Sequence, residues 1–181
     1  MTSIIKVNTI QDVGGNNLLI SNGSGTITTN NIGGQNTPTV MAHQSSDQNL
    51  TKGTDNKIVN LTTTVDTNSA FSSNKFTVPS GEGGNYLVNW QLTFDGDSSG
   101  NSGYDLNRMS IYKNGSEFIR TDHVREPQIP YGSFLQSATI ALSASDYLEF
   151  YFHPDRGGGT AGDTKGTQRD TFITILKLIG A

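Results

Sequence analysis

Cysteine is absent from all 181 residues. That excludes disulfides, thiol nucleophiles and cysteine-ligated metals together, and it favours folding in a reducing cytosol. Charge is scarce. Asp, Glu, Lys and Arg make up 15% of the chain, 16 acidic against 12 basic, for a formal net charge of −4. No basic run stands out, so the electrostatic footprint expected of a partner to nucleic acid or an anionic membrane is missing. No apolar run approaches the ~20 residues of a membrane-spanning helix. The N-terminal segment has one Lys and no continuous apolar stretch, which argues against a secretory leader. The 3.6-residue helical period is also missing from every window of useful length.

What remains is turn and strand chemistry. Hydrophobic residues are 33% of the chain and Gly alone numbers 21; Asn, Ser and Thr fill most of the rest. Residues 1–37 hold short extended pieces between Gly-rich turns. Their aliphatics (Ile4, Ile5, Val7, Ile10, Leu18, Leu19 and Ile20) are of no use to a solvated linker. These residues read as an arm that some other surface holds.

From residue 38 the chain reads as a series of strands. KIVNLTTTV places Val59, Leu61, Thr63 and Val65 on one face, and NKFTVPS turns Phe76 and Val78 inward. YLVNWQLTF alternates cleanly, with Val88, Trp90, Leu92 and Phe94 on one side and Leu87, Asn89, Gln91 and Thr93 on the other. RMSIYKNGSEFIR is a β-hairpin around Asn114-Gly115, the pair that accepts positive φ at both turn positions. SFLQSATIALS puts Phe134, Gln136, Ala138, Ile140 and Leu142 on one face. DYLEFYF turns Leu148, Phe150 and Phe152 inward and Tyr147, Glu149 and Tyr151 outward, and residues 153–170 read as one long loop. The final strand is apolar on both faces: Phe172, Leu176 and Leu178 on one, Ile173, Ile175 and Ile179 on the other. One face can enter a core; the other needs a cover, and a second copy of the chain is the economical one. Evenly spaced strands with turn signals between them predict an all-β sandwich of the jelly-roll kind.

Catalytic and metal chemistry is sparse. His43, His123 and His153 have no metal-pair spacing and read as surface-loop residues. Asp95 and Asp97 offer oxygen ligands that suit calcium, with an ordinary polar turn as the competing reading. Glu82, Glu117, Glu126 and Glu149 are scattered; all but the outward Glu149 read as loop residues, and none suggests the paired carboxylates of a glycosidase. No enzyme is expected. The loops 95–105, 121–133 and 153–170 carry Tyr104, His123, Arg125, Tyr131, His153, Asp155, Arg156 and Arg169, of which Tyr and Arg are the residue types that favour recognition.

Four segments carry a resemblance. FSSNKFTVPSGEGGNYLVNWQLTF, SIYKNGSEF, ATIALSASDYLEFYF and ITILKLIGA resemble, in order and spacing, complement C1q and tumour-necrosis-factor-like domains across about residues 38–181. Gly84-Asn85-Tyr86 departs from that family's Gly-Val-Tyr. The resemblance implies a ten-stranded jelly-roll β-sandwich that assembles as a homotrimer. Its interface would then draw on Phe172, Ile173, Ile175, Leu176, Leu178 and Ile179, together with the outward Tyr147 and Tyr151.

The opening MTSIIKVNTIQDVGGNNLLISNGSG is similar to the N-terminal segment of fibre and appendage proteins of marine tailed phages. That implies a virion protein assembled in the host cytoplasm, with residues 1–37 docking to other virion proteins and residues 38–181 forming the head. Tail fibre and head fibre or capsid decoration are both open roles. The alternative is an adhesion module for a host receptor or glycan.

Overall fold

The structure is a computed structural model that describes residues 9–11, 13–15, 17–21, 24, 27–29, 36–96, 105–125, 131–155 and 162–178. Two compact units separate near residue 35.

The first unit is a small antiparallel sheet of β1 (Thr9–Gln11), β2 (Asn17–Ser21) and β3 (Ile27–Thr29), in that order. Ile10 lies opposite Leu19 in the ladder. The sheet shelters little: Ile10 remains 44% exposed and Val13, in the β1–β2 turn, is fully exposed. β1 and β3 carry one apolar residue each and β2 three, and strands this short and few cannot offset the ordering cost of the chain by burial alone.

The second unit is a sandwich. Its strands are β4 (Thr39–Gln44), β5 (Gln48–Leu50), β6 (Asn56–Lys57), β7 (Leu61–Asp66), β8 (Phe71–Ser72), β9 (Lys75–Thr77), β10 (Gly84–Gly96), β11 (Asp105–Lys113), β12 (Ser116–Arg125), β13 (Tyr131–Leu142), β14 (Tyr147–Asp155), β15 (Gly162–Thr164) and β16 (Phe172–Lys177). Five of these are pieces of two or three residues that elaborate the longer strands. One 3₁₀ turn, Thr67–Ser69, is the sole helical element among the described residues.

One sheet has seven strands. β13 lies along one flank of β10, while β16 and β15 share the other flank end to end; β4 and then β7 continue beyond β16. The other sheet has six, in the order β12-β11-β14-β9-β8, with β6 beside β9 on β14. All pairings are antiparallel, so alternate residues of each strand enter the core. Val88, Trp90, Leu92 and Phe94 do so from β10; Leu148, Phe150 and Phe152 do so from β14. Their rings meet edge-on or tilted: Trp90 with Phe150 at 5.4 Å, Phe94 with Phe152 at 5.3 Å, Phe76 with Tyr86 at 5.5 Å. Each such side chain contributes about 1.5–3 kcal/mol by burial.

A polar bridge crosses this core. Trp90 Nε1 donates to Gln136 Oε1 at 2.8 Å, and Gln136 Nε2 donates to Thr121 Oγ1 at 2.8 Å. It ties β10 and β13 of one sheet to β12 of the other, and it satisfies a buried indole N–H that would otherwise cost about 1–3 kcal/mol.

Three of the four family-like segments meet at one end of the sandwich. Asn114 and Gly115 have φ of 53° and 80°, as a two-residue hairpin turn of right-handed twist requires. Asn114 Nδ2 donates to Asp146 Oδ1 at 2.7 Å, and the Tyr147 N–H donates to Asn114 Oδ1 at 2.9 Å. Asp146 also takes the Ser143 N–H at 2.8 Å and Lys113 Nζ at 3.0 Å. Backbone bonds from Val78 to Asp146 and from Ser145 to Val78 add the third segment. The Asn114 amide, the Ser143 N–H and Lys113 hold the Asp146 carboxyl down at about 2. These segments therefore form a structural joint.

The structure corrects several expectations. KIVNLTTTV is broken at Asn60, whose φ is 59°; Ile58 is the buried residue, and β7 is an edge strand with Val65 42% exposed. Residues 153–170 are not one loop, since β14 runs on to Asp155 and β15 intervenes. Glu117 lies on β12, not in a loop. His43, His123 and His153 lie on β4, β12 and β14.

Candidate functional site

The sandwich presents two outer faces of opposite chemistry. On the seven-stranded sheet, register aligns three rows. Thr139, Leu87, Leu176 and Thr39 form one; Ser137, Asn89, Thr174, Met41 and Val65 form the next; Leu135, Gln91, Phe172, His43 and Thr62 form the third. No Asp, Glu, Lys or Arg occurs in these rows. Leu135 is 60% exposed, and Phe172, Thr174 and Leu176 are half-buried. His43 is half-buried as well, yet its Nδ1 is shut off from solvent and has no hydrogen-bond partner. Charge begins at the end of β10, where Asp95 pairs with Lys165 at 3.0 Å.

The six-stranded sheet shows a lattice of charge. Lys57 meets Glu149 at 2.6 Å, and Arg108 and Arg120 meet Asp122 at 2.8 and 3.5 Å. His153 Nδ1 lies 2.8 Å from Asp55 Oδ1, and Tyr112 donates to Asp55 Oδ2 at 2.8 Å. Burial of Asp55 opposes ionisation, but the bonds from His153 and Tyr112 hold its carboxyl below the ordinary value. Burial, then the bond to Asp55, pushes the Tyr112 phenol up to about 12. The Tyr112 and Tyr151 rings lie 4.1 Å apart, and Lys75 sits over Tyr147 at 4.6 Å. Each polar group here is held by its neighbours, as on a solvated sheet face.

The expected interface residues divide accordingly. Phe172 and Leu176 lie in the uncharged rows, and half-buried Leu178 follows β16. Ile173 and Ile175 are completely buried in the core of one protomer, so they cannot also meet another copy. Tyr147 and Tyr151 belong to the charged face of the other sheet and do not join Phe172 in one patch. Ile179 lies outside the described residues. Leu135 and Met41 were not singled out in the sequence, and Val65 and His43 were read as a strand-face and a surface-loop residue rather than as parts of an interface. Alternation placed Leu135 opposite Phe134, but nothing in the sequence marked the edge position that exposes it.

Of the expected recognition residues, His153 is tied to Asp55 in the charged lattice. Tyr131 opens β13 opposite Asp95 and is 49% exposed, while Arg125 and Asp155 close β12 and β14 in register with the start of β11. The strand ends thus gather these positions at one end of the sandwich. Arg169 directs its carbonyl to Gln91. Tyr104, Arg156 and Glu126 lie outside the described residues, as does the side chain of Arg125. His123 turns inward, edge-on to Phe134 at 5.1 Å, and burial pushes its pKa down.

Among the described residues no group of three or more His, Asp or Glu could hold a metal. At the expected calcium position Asp95 is engaged by Lys165, and Asp97 lies outside the described residues. Glu82 pairs with Lys177, Glu149 with Lys57, and Glu117 accepts from Ser110. These three glutamates are bound as structural partners. Of the expected anchor residues, Ile10 and half-buried Leu19 and Ile20 lie on β1 and β2. Ile4, Ile5 and Val7 lie outside the described residues, as does the side chain of Leu18.

No family model and no curated protein matches the sequence. Solved structures do match the fold. Murine APRIL aligns over 77% of this chain and 98% of its own, at 14% identity and a TM-score of 0.52. Eiger TNF from S. frugiperda aligns over 81% and 96%, at 13% identity and 0.57. The globular domain of zebrafish complement 1qA aligns over 78% and 97%, at 10% identity and 0.51. With two antiparallel sheets, an uncharged outer face on one and this likeness, the chain has the fold of TNF/C1q-like jelly-roll domains.

Proposed function

We propose that the protein is a non-enzymatic structural component of a phage virion. Three jelly-roll heads associate through the uncharged face of the seven-stranded sheet, and the arm of residues 1–37 docks each copy to other virion proteins. The observation that carries this reading is the contrast in charge. An outer face with no Asp, Glu, Lys or Arg in its three rows, but with Leu135, Phe172, Leu87 and Leu176, is suited to burial against like chains. The resemblance to C1q and TNF-like domains supplies the number three, and the opening segment supplies the particle. The arm's sheet leaves Ile10 and Val13 exposed, as suits a segment that gains its cover on docking.

Sedimentation of the full chain at micromolar concentration tests assembly: a trimer is expected, and a stable lone protomer would overturn the reading. Deleting residues 1–37 should leave a folded trimeric head that no longer enters particles. Normal incorporation would remove the anchor.

A second reading, attachment to a host receptor or glycan, rests on the end of the sandwich that carries exposed Tyr131, exposed Asp155 and the Arg125 position. Binding of purified head to host cells would favour it. Presence of the protein on capsids without tails would favour decoration.

A further inference from the structure

We infer that His43 makes the association of copies sensitive to acid, the neutral ring permitting assembly and the protonated ring opposing it. This inference rests on the trimeric reading above. It begins from placement. His43 is the sole titratable side chain in the three uncharged rows, between Phe172 of β16 and Thr62 of β7. Its Nδ1 is buried without a hydrogen-bond partner. A neutral imidazole tolerates this when Nδ1 carries the lone pair and Nε2, on the ring's other side, carries the proton. A second proton would place a donor at Nδ1 with no acceptor, and a full charge on a face that association removes from water.

The surroundings supply no compensation. β16 faces His43 with Phe172, and β10 contributes neutral Gln91 one strand farther on. On β7 the charged residue is Asp66, whose carboxylate accepts the N–H groups of Ala70 and Phe71. The segment before β16 carries Arg169 and Asp170, and Asp170 accepts from the Thr167 hydroxyl. Near β5, Asp47 is taken by Lys165 and the Gly166 N–H. Among the described residues no carboxylate pairs with His43.

The sign follows from linkage. Association removes the remaining exposure of this half-buried ring, so a charge there costs more in the assembly than in the separated protomer, and assembly is strongest where the ring is neutral and weakens as pH falls. With one such ring per copy, the trimer constant should weaken with acid by at most about tenfold per protomer for each pH unit.

The test is sedimentation velocity of the full chain at micromolar concentration, at pH 8 and pH 5.5, for wild type, His43→Gln and His43→Lys, with circular dichroism to verify folding. The expected result is a wild-type trimer at pH 8 that dissociates at pH 5.5, while His43→Gln stays trimeric at both. His43→Lys, with a permanent charge, should be a folded protomer at both. A wild type trimeric at both pH values overturns the inference and leaves the trimeric reading standing. Equal dissociation of wild type and His43→Gln also overturns it, because another group would then be responsible. A wild-type protomer at pH 8 overturns the trimeric reading itself. Should His43→Lys not fold, the wild type and His43→Gln decide the matter.

Discussion

The outer faces of the two sheets rest on the same alternating strand pattern and the same shared core, yet they invest their outward positions differently. The six-stranded sheet uses Lys57, Arg108, Asp122, Glu149 and His153, each tied to a neighbour. The seven-stranded sheet uses Leu, Thr, Asn, Gln, Met and Phe, with one His. Exposed ion pairs add little stability, but charge on an outer sheet face opposes its pairing with other chains. An uncharged face with half-buried Phe172 and Leu176 lacks that protection. The lesson is that apolar residues are found in both interiors and interfaces; the absence of charge on one outer face is the sharper sign of a partner.

The comparison breaks most visibly by moving a charge across it. Phe172→Glu should abolish association, since an unpaired carboxylate in a buried patch costs several kcal/mol, about 3–5 where no partner compensates. Arg120→Glu, on a side chain 48% exposed, should leave association unchanged. Sedimentation of both variants at pH 8 checks this, and equal effects would erase the distinction between the faces.

Acid sharpens it next. Asp146 titrates at about 2 in the fold against an ordinary ~3.9, so its contribution is fully present above that ordinary value and is lost as pH falls toward 2. Discounted for solvent screening, the loss is about 1–2 kcal/mol. Asp55 and Asp47, also held low, lose stability in the same direction. Thermal melts of wild type should therefore decline below pH 4, and Asp146→Asn should flatten part of that decline. Dissociation of copies is expected between pH 8 and pH 5.5, so the two windows separate the two faces.

The smallest effect belongs to Lys57→Met. Its pair with Glu149 is short at 2.6 Å but partly exposed, and its loss should cost about 1 kcal/mol or less in a urea melt. A larger loss would mean that the charged face is holding the fold together.

Alternation made much of this legible in the sequence. β10, β13 and β14 turn inward the residues their period predicts, because each is long and packs one face on a shared core. Asn114-Gly115 announced its hairpin because few dipeptides accept two positive φ values. The failures are non-local. Period two places Tyr151 outward but cannot reveal on which sheet, so Tyr147 and Tyr151 were grouped with Phe172. In the last strand both phases are apolar, so the sequence left open which one the core takes; the structure buries Ile173 and Ile175. β15 was invisible because three residues, Gly162–Thr164, gain strand geometry solely by lying between β10 and β5. Asp55 had no local signal at all; only the fold brings it to His153 and Tyr112.

Trp90 is the sole tryptophan of the chain, completely buried, with its indole N–H bound to Gln136. It lies between the sheets rather than on either outer face, so its fluorescence should shift to the red when the sandwich opens and stay unchanged when intact copies part. The molecule thereby carries its own optical gauge, one that distinguishes separated copies from denatured ones without any added label.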